Sequence, residues 1–175
     1  METRNDALLV SRVALLGDQN AFCRLVEAYQ SPIRRFLLNL TGGDEELSKD
    51  LAQDTFIKAW IHIGSFRAAA KFSTWLYRIA YNLFYDHQRS RREHAAIDSK
   101  TANNPALAHK PDRDFGIDLE YALQTLREEE RAAVVLFYIE DQTIGKIASI
   151  LNCPTGTVKS HLHRAKEKLS TYFTH

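Results

Sequence analysis

Apolar side chains recur every three or four positions over most of this chain, and the strict alternation that builds strands is missing. Phe22, Leu25, Val26 and Tyr29 form one stripe; Ile33, Phe36, Leu37 and Leu40 form the next. Ser31 and Pro32 stand between them, where serine can cap a helix and proline can occupy a first turn, so two helices are predicted. Gly42-Gly43 closes the second stripe. A further helix is expected from about Leu47 to Ile63, stopping at Gly64-Ser65. Another begins near Ser73, whose hydroxyl can cap it, and carries Trp75, Leu76, Ile79 and Leu83. Periodicity then fades into turn formers between Asp98 and Pro105 and between His109 and Asp112, and returns at Leu119, Leu123 and Leu126. The expected fold is all-α: two small helical domains, residues 1–94 and 118–175, joined by a flexible linker over 95–117.

The most specific pattern lies near the C-terminus. Ile144, Ile147, Ala148 and Leu151 share one helical face. Asn152 follows and can take the left-handed conformation of a tight helix stop, before Cys153-Pro154. Val158, Leu162, Ala165 and Leu169 then form a second apolar face. Two short amphipathic helices joined so closely predict a helix-turn-helix. The opposite side of the second helix displays Thr155, Thr157, Lys159, Ser160, His163, Arg164 and Lys166. Short hydroxyls permit close approach to base edges, and the cations neutralise phosphates. A plain helical hairpin with a solvated basic face remains open on geometry alone.

Two further stretches carry candidate chemistry. On the helix around residues 50–60, Ala52, Phe56, Ala59 and Ile63 can enter a bundle, whereas Asp50, Gln53, Asp54 and Ile57 line another side. An isoleucine within an acidic face suits a protein interface; a solvated helix with one exposed isoleucine fits the pattern as well. Next, Phe66, Arg67, Lys71, Trp75, Arg78, Asn82, Arg89 and Arg92 interleave rings with basic groups. Rings accept unstacked bases while cations follow a single-stranded backbone. Phe72 falls on the apolar face with Leu76, Ile79 and Leu83, and is read as core.

Composition refines this picture. The 175 residues are 45% hydrophobic and 26% charged, as in a soluble globular protein. The formal net charge of +1 hides segregation, because Asp44, Glu45, Glu46, Asp50 and Asp54 precede the basic stretch Arg67 to Arg92. Acidic residues from Asp118 to Asp141 likewise precede Lys146, Lys159, Arg164, Lys166 and Lys168. Two cationic segments in a near-neutral chain point to two contacts with a polyanion. The apolar runs are too short to insert in a membrane, and Met1 to Asp6 lacks a secretory pattern, so the cytoplasm is expected. Cys23 and Cys153 have no CxxC partner and read as buried small hydrophobes, with no metal or other cofactor implied.

These motifs together resemble a known family. Leu126-Arg-Glu-Glu-Glu-Arg131, the apolar block to Tyr138, and Gly156-Thr-Val-Lys-Ser-His-Leu-His-Arg-Ala165 look like the minus-35-binding domain of sigma factors. His161 stands where that family usually has arginine, and Gly145-Lys146 where an acidic residue commonly precedes Ile-Ala. Asp50 to Trp60 resembles the sigma helix that docks on the polymerase clamp, and Phe66 to Arg92 the element that captures the opened minus-10 sequence. The two-domain economy is similar to that of the extracytoplasmic-function group of the sigma-70 family. The resemblance implies core RNA polymerase, promoter DNA and an anti-sigma factor as partners, with no small-molecule substrate and no enzymatic activity. Asp50, Gln53, Asp54 and Ile57 would then meet polymerase. Phe66, Arg67 and Lys71 would lie nearest a flipped base, and Arg78, Asn82, Arg89 and Arg92 near the opened strand or flanking duplex. The linker is expected to thread toward the polymerase RNA channel.

Two other classes compete. A helix-turn-helix regulator independent of polymerase shares the Gly156 to Leu162 pattern, but residues 1–92 look neither strand-rich nor pocket-forming. A metal-dependent nuclease would need the carboxylates at Asp44 to Asp54 to converge with partners from other elements.

Overall fold

The computed structural model describes residues 6–67, 70–98 and 115–174, and among these there is no strand. Four helices make the first bundle: α1 (Asp6–Leu16), α2 (Gln19–Thr41), α3 (Glu45–His62) and α4 (Phe72–Asp98). A 3₁₀ turn, Ile63–Ser65, leaves α3. The second group holds α5 (Phe115–Gln124), α6 (Glu128–Val134), α7 (Ile144–Leu151) and α8 (Thr155–Thr174), with α6 widening into a π-helical stretch over Val135–Ile139. Of the expected linker, residues 99–114 lie outside the described residues; α4 continues through Asp98 and α5 starts at Phe115.

Local chemistry sets the ends. Asp18 Oδ1 accepts from the Ala21 N–H and Asp44 Oδ1 from the Leu47 N–H, both at 3.0 Å, capping α2 and α3. Gly42 and Gly43 take φ of +72° and +80°, which lets the Gly43 N–H reach the Leu38 carbonyl at 3.0 Å and stop α2.

Two expectations about helix ends are corrected. Ser31-Pro32 does not divide two helices: α2 runs unbroken through Pro32. Leu25, Tyr29, Ile33, Phe36 and Leu40 are spaced 4, 4, 3 and 4 apart, so both stripes are in phase on one buried face. Burial of that face outweighs the backbone hydrogen bond that proline forfeits. The fourth helix starts at Phe72 rather than at a Ser73 cap, and Ser73 and Thr74 are themselves buried.

Packing follows the apolar stripes. Leu25, Ile33, Phe36, Leu37, Leu40, Leu76 and Phe84 are fully enclosed in the first bundle; Leu123, Leu136, Ile147, Ile150, Val158 and Ala165 are enclosed in the second. Phe72 is core, as read, meeting the rings of Tyr29 and Trp75 at 5.5 and 5.8 Å. The two groups of side chains form one contiguous cluster, because α7 packs along α4 and the π-helical stretch meets α2. The cysteines differ from expectation. Cys23 is exposed, two residues from the inward Ala21 and Leu25 and so on the outer face of α2, and Cys153 is only half-buried in the α7–α8 turn.

Candidate nucleic-acid interface and acidic docking face

The helix-turn-helix is built by its turn. Thr143 Oγ1 accepts from the Lys146 N–H to cap α7, and Asn152 sits at φ 53°, ψ 48°, in the left-handed region. The Cys153 N–H then bonds the Ala148 carbonyl at 3.0 Å, and α8 begins directly after Pro154. Val158 and Ala165 are buried against α6 and α7, with Leu162 and Leu169 half-buried beside them. Thr155, Lys159, Ser160 and His163 are exposed and Thr157 is half-exposed, so they share the outer side of α8. Gly145 lies in α7 with open space around its Cα, so it costs about 1 kcal/mol of helix propensity and no packing.

Arg164 does not belong wholly to that outer set. Its Nε donates to Glu130 Oε1 at 3.2 Å, and Lys168 Nζ donates to Oε2 of the same carboxylate at 2.6 Å. Glu130 is 1% exposed; its side chain also accepts from the Arg127 N–H at 3.2 Å, as the third residue of α6. One buried carboxylate therefore caps α6 and fixes α8 to it. His161 Nδ1 accepts from Arg164 Nη2 at 3.0 Å, in the tautomer that carries its proton on Nε2. Burial, then the charge of Arg164, hold His161 below the usual histidine range, so it is uncharged at neutral pH. It supplies no cation where an arginine would.

Glu130 has a consequence for acid stability. Burial alone would raise its carboxyl, but Lys168, the Arg127 N–H and Arg164 together hold it below the ordinary 4.5. A folded pKa below the unfolded one stabilises the fold above about pH 4.5, and this stability is lost as pH falls through the lower value. Glu130→Gln is expected to flatten the acid side of the melting-temperature profile below about pH 4.5. Equal slopes in thermal melts of both proteins would contradict this linkage.

Along α3, Ser48, Leu51, Thr55 and Ala59 face the core, leaving Asp50, Gln53, Asp54 and Ile57 exposed on one side. Ile57 is 49% exposed, and Trp60 and Ile61 extend its apolar surface one turn further. Those last two were missed, although the same spacing of three and four contains them. Asp44, Asp50 and Asp54 spread over ten residues of helix, about 15 Å, too far apart to share one metal ion.

At the start of α4, Phe66, Phe72 and Trp75 form a cluster, with Phe66 and Trp75 half-buried and their ring centroids 5.3 Å apart. Arg67 and Lys71 are exposed at its edge. Asn82 and Arg89 are exposed further along, Arg89 paired with Glu93 at 3.3 Å. Arg78 and Arg92 turn instead to the second domain: Arg78 Nε donates to the Ser149 carbonyl at 2.7 Å, and Arg92 pairs with Glu128.

The chain matches known proteins over most of its length. Residues 25–94 match the family Sigma-70 region 2, and residues 117–169 match Sigma-70, region 4. The ECF RNA polymerase sigma factor SigW of Bacillus subtilis is 35% identical, covering 87% of this chain and 89% of the relative. The ECF RNA polymerase sigma-E factor of Escherichia coli is 32% identical, covering 96% and 94%. Among solved structures, the sigma factor RpoE in complex with the anti-sigma factor NepR from Bartonella quintana superposes with a TM-score of 0.74 at 26% identity, over 87% of this chain and 96% of that one. CnrH in complex with the cytosolic domain of CnrY gives 0.74 at 25% identity, over 97% of each. On both family matches and on relatives above 30% identity that it covers almost entirely, the chain belongs to the extracytoplasmic-function sigma factors of the sigma-70 family.

Proposed function

We propose that this chain docks on core RNA polymerase through Asp50, Gln53, Asp54 and Ile57, opens the minus-10 element along α4, and reads minus-35 duplex with α8. In this reading Phe66, Arg67, Lys71 and Trp75 surround an unpaired base, while Arg78, Asn82, Arg89 and Arg92 follow the strand. Flipping a base needs no catalytic group, because aromatic and ionic contacts offset a few kcal/mol of lost stacking. Thr155, Thr157, Lys159, Ser160 and His163 face the groove; Arg164 serves mainly to position α8 through Glu130. The two functional modules are residues 1–94 and 118–175. The protein acts in the cytoplasm, is not an enzyme, and uses no cofactor, metal or small-molecule substrate. No described helix is long and apolar enough to cross a membrane. An anti-sigma factor, as bound to the relatives RpoE and CnrH, is its expected regulator.

The observation that carries this reading is the outer face of α8, where Thr155, Lys159 and Ser160 are exposed on a helix locked from behind by Val158, Ala165 and the Glu130 contacts. Transcription in vitro with core polymerase on a genomic promoter library tests it. Protein-dependent starts that share two spaced upstream elements are the expected result. The absence of both new starts and core binding would refute it. Within α8, Lys159→Ala is expected to lower the slope of log affinity against log salt by about 0.9, one phosphate contact. An unchanged slope would mean that α8 does not lie in the groove as proposed.

A further inference from the structure

The two halves of the molecule are fastened by polar contacts, and some of these occupy side chains that the proposed DNA contacts require. At their centre is Glu140, just beyond the π-helical stretch, with a side chain only 2% exposed. Its carboxylate accepts from Arg35 Nε and Nη2 on α2, both at 2.7 Å, and from the Tyr77 hydroxyl on α4, also at 2.7 Å. A bidentate guanidinium with a third donor is directional and charge-assisted. It joins residues 105 and 63 positions apart. Burial and then the Glu140 charge push the Tyr77 hydroxyl above its usual value, so it remains a donor. Gln142 Nε2 holds the Glu140 carbonyl at 2.6 Å and steadies the turn.

Further contacts surround this centre. Arg131 Nη1 reaches the Leu40 carbonyl at 2.7 Å, across the same boundary. Arg78 is bound to Ser149 and Arg92 to Glu128. Both cations lie on α4, and α7 packs along that helix. Arg78, Ser149, Asn152, Cys153 and Thr155 line the crevice that results.

We propose that this is a self-blocked resting conformation, in which the Glu140–Arg35–Tyr77 latch holds α7 over α4 and must open before α4 takes a DNA strand. The latch stands on the contacts themselves; its consequence for DNA rests on the function proposed above. Glu140 and Tyr77 regain water when the domains part, so the latch itself stabilises the closed form by far less than its contact energy, and the apolar packing of α7 on α4 adds to it. A DNA strand competes for Arg78 and Arg92, binds only the open form, and draws the population toward it.

The chain carries its own reporters. Cys153 lines the crevice, where burial raises its thiol pKa, whereas Cys23 is exposed on α2. The ratio of their maleimide labelling rates, followed by peptide mass spectrometry in the full chain, reads opening against an internal standard. Arg35→Ala removes a half-exposed guanidinium, and Tyr77→Phe removes one hydroxyl while its ring stays packed on Phe36, 5.2 Å away. The Cys153:Cys23 ratio is expected to rise about tenfold in Arg35→Ala and about threefold in Tyr77→Phe, the scale of charge-assisted hydrogen bonds. The radius of gyration from small-angle scattering should rise with it. Unchanged ratio and radius in whichever variants keep their circular dichroism overturn the latch. Binding of a fluorescent single-stranded oligonucleotide separates the two claims. Tighter binding by the opened variants supports both; a higher labelling ratio without tighter binding leaves the latch standing and refutes the α4 contacts.

Discussion

Reversing Asp50 and Asp54 to lysine is expected to weaken capture of core polymerase roughly a hundredfold, with helix content and melting temperature nearly unchanged. Both carboxylates are exposed on α3, on the side away from Leu51, Thr55 and Ala59. Surface replacements away from caps and ion pairs usually change stability by no more than about 0.5 kcal/mol, so a binding defect would not be disguised unfolding. Each reversal converts an attraction into a repulsion, and about 1.4 kcal/mol per site compounds to that hundredfold loss. Fluorescence anisotropy of the labelled chain against core enzyme, at two salt concentrations, is the measurement. Affinity that is indifferent to the reversal would move the docking surface elsewhere, first to Trp60 and Ile61, which continue the apolar part of the same helix.

The second large effect concerns stability. Arg131→Met keeps side-chain length but removes four donations from a buried guanidinium: to Leu123 O at 2.9 Å, Leu40 O at 2.7 Å, Leu126 O at 3.3 Å and Gln124 O at 3.4 Å. The Gln124 and Leu126 carbonyls lie at the end of α5 and in the turn after it, where helix geometry supplies no partner, and the Leu40 carbonyl ends α2; Leu123 O also accepts from the Leu126 N–H at 3.2 Å and is not orphaned. Burial lowers the Arg131 pKa, yet guanidinium basicity leaves it charged at every working pH. Orphaned buried carbonyls cost about 1–3 kcal/mol each, less whatever water recovers, so a total near 3–5 kcal/mol is expected. For a chain of this size that lowers the melting temperature by roughly 10 °C. A loss below about 1 kcal/mol in urea titration would show that water or relaxed backbone replaces the guanidinium.

Much of the architecture could be read before any coordinates. Helical spacing located α3 and α7 to within about two residues, and the start of α8, because each buries one stripe and the stops after α3 and α7 have a steric preference, such as Asn152; α8 runs on to Thr174, five residues past the last apolar position read, Leu169. The exposed side of α3 was legible for the same reason: a period of 3.6 assigns faces without knowledge of what covers them. Local reasoning failed where a local preference met a larger packing term. Pro32 reads as a boundary, but the enclosed Ile33, Phe36 and Leu40 keep α2 intact around it. Cys23 reads as an apolar residue, but its angle on α2 turns it outward.

The amino-acid sequence by itself determined an all-helical chain, the helix-turn-helix with its left-handed hinge, the acidic side of α3 and the aromatic-basic start of α4. Each depends on the order of residues within a few turns of helix, where intrinsic geometry dictates which side chains are neighbours. Tertiary structure alone decided the partners of the long cationic side chains. Arg164 looked like a groove-facing cation and meets buried Glu130; Arg78 looked free for DNA and meets Ser149; Arg35, unremarked in the sequence, holds Glu140 from 105 residues away. A long charged side chain can reach solvent, a phosphate or a distant carboxylate with nearly equal ease. Only the packing of one helix against another brings a distant partner within hydrogen-bond reach, and that proximity settles the choice.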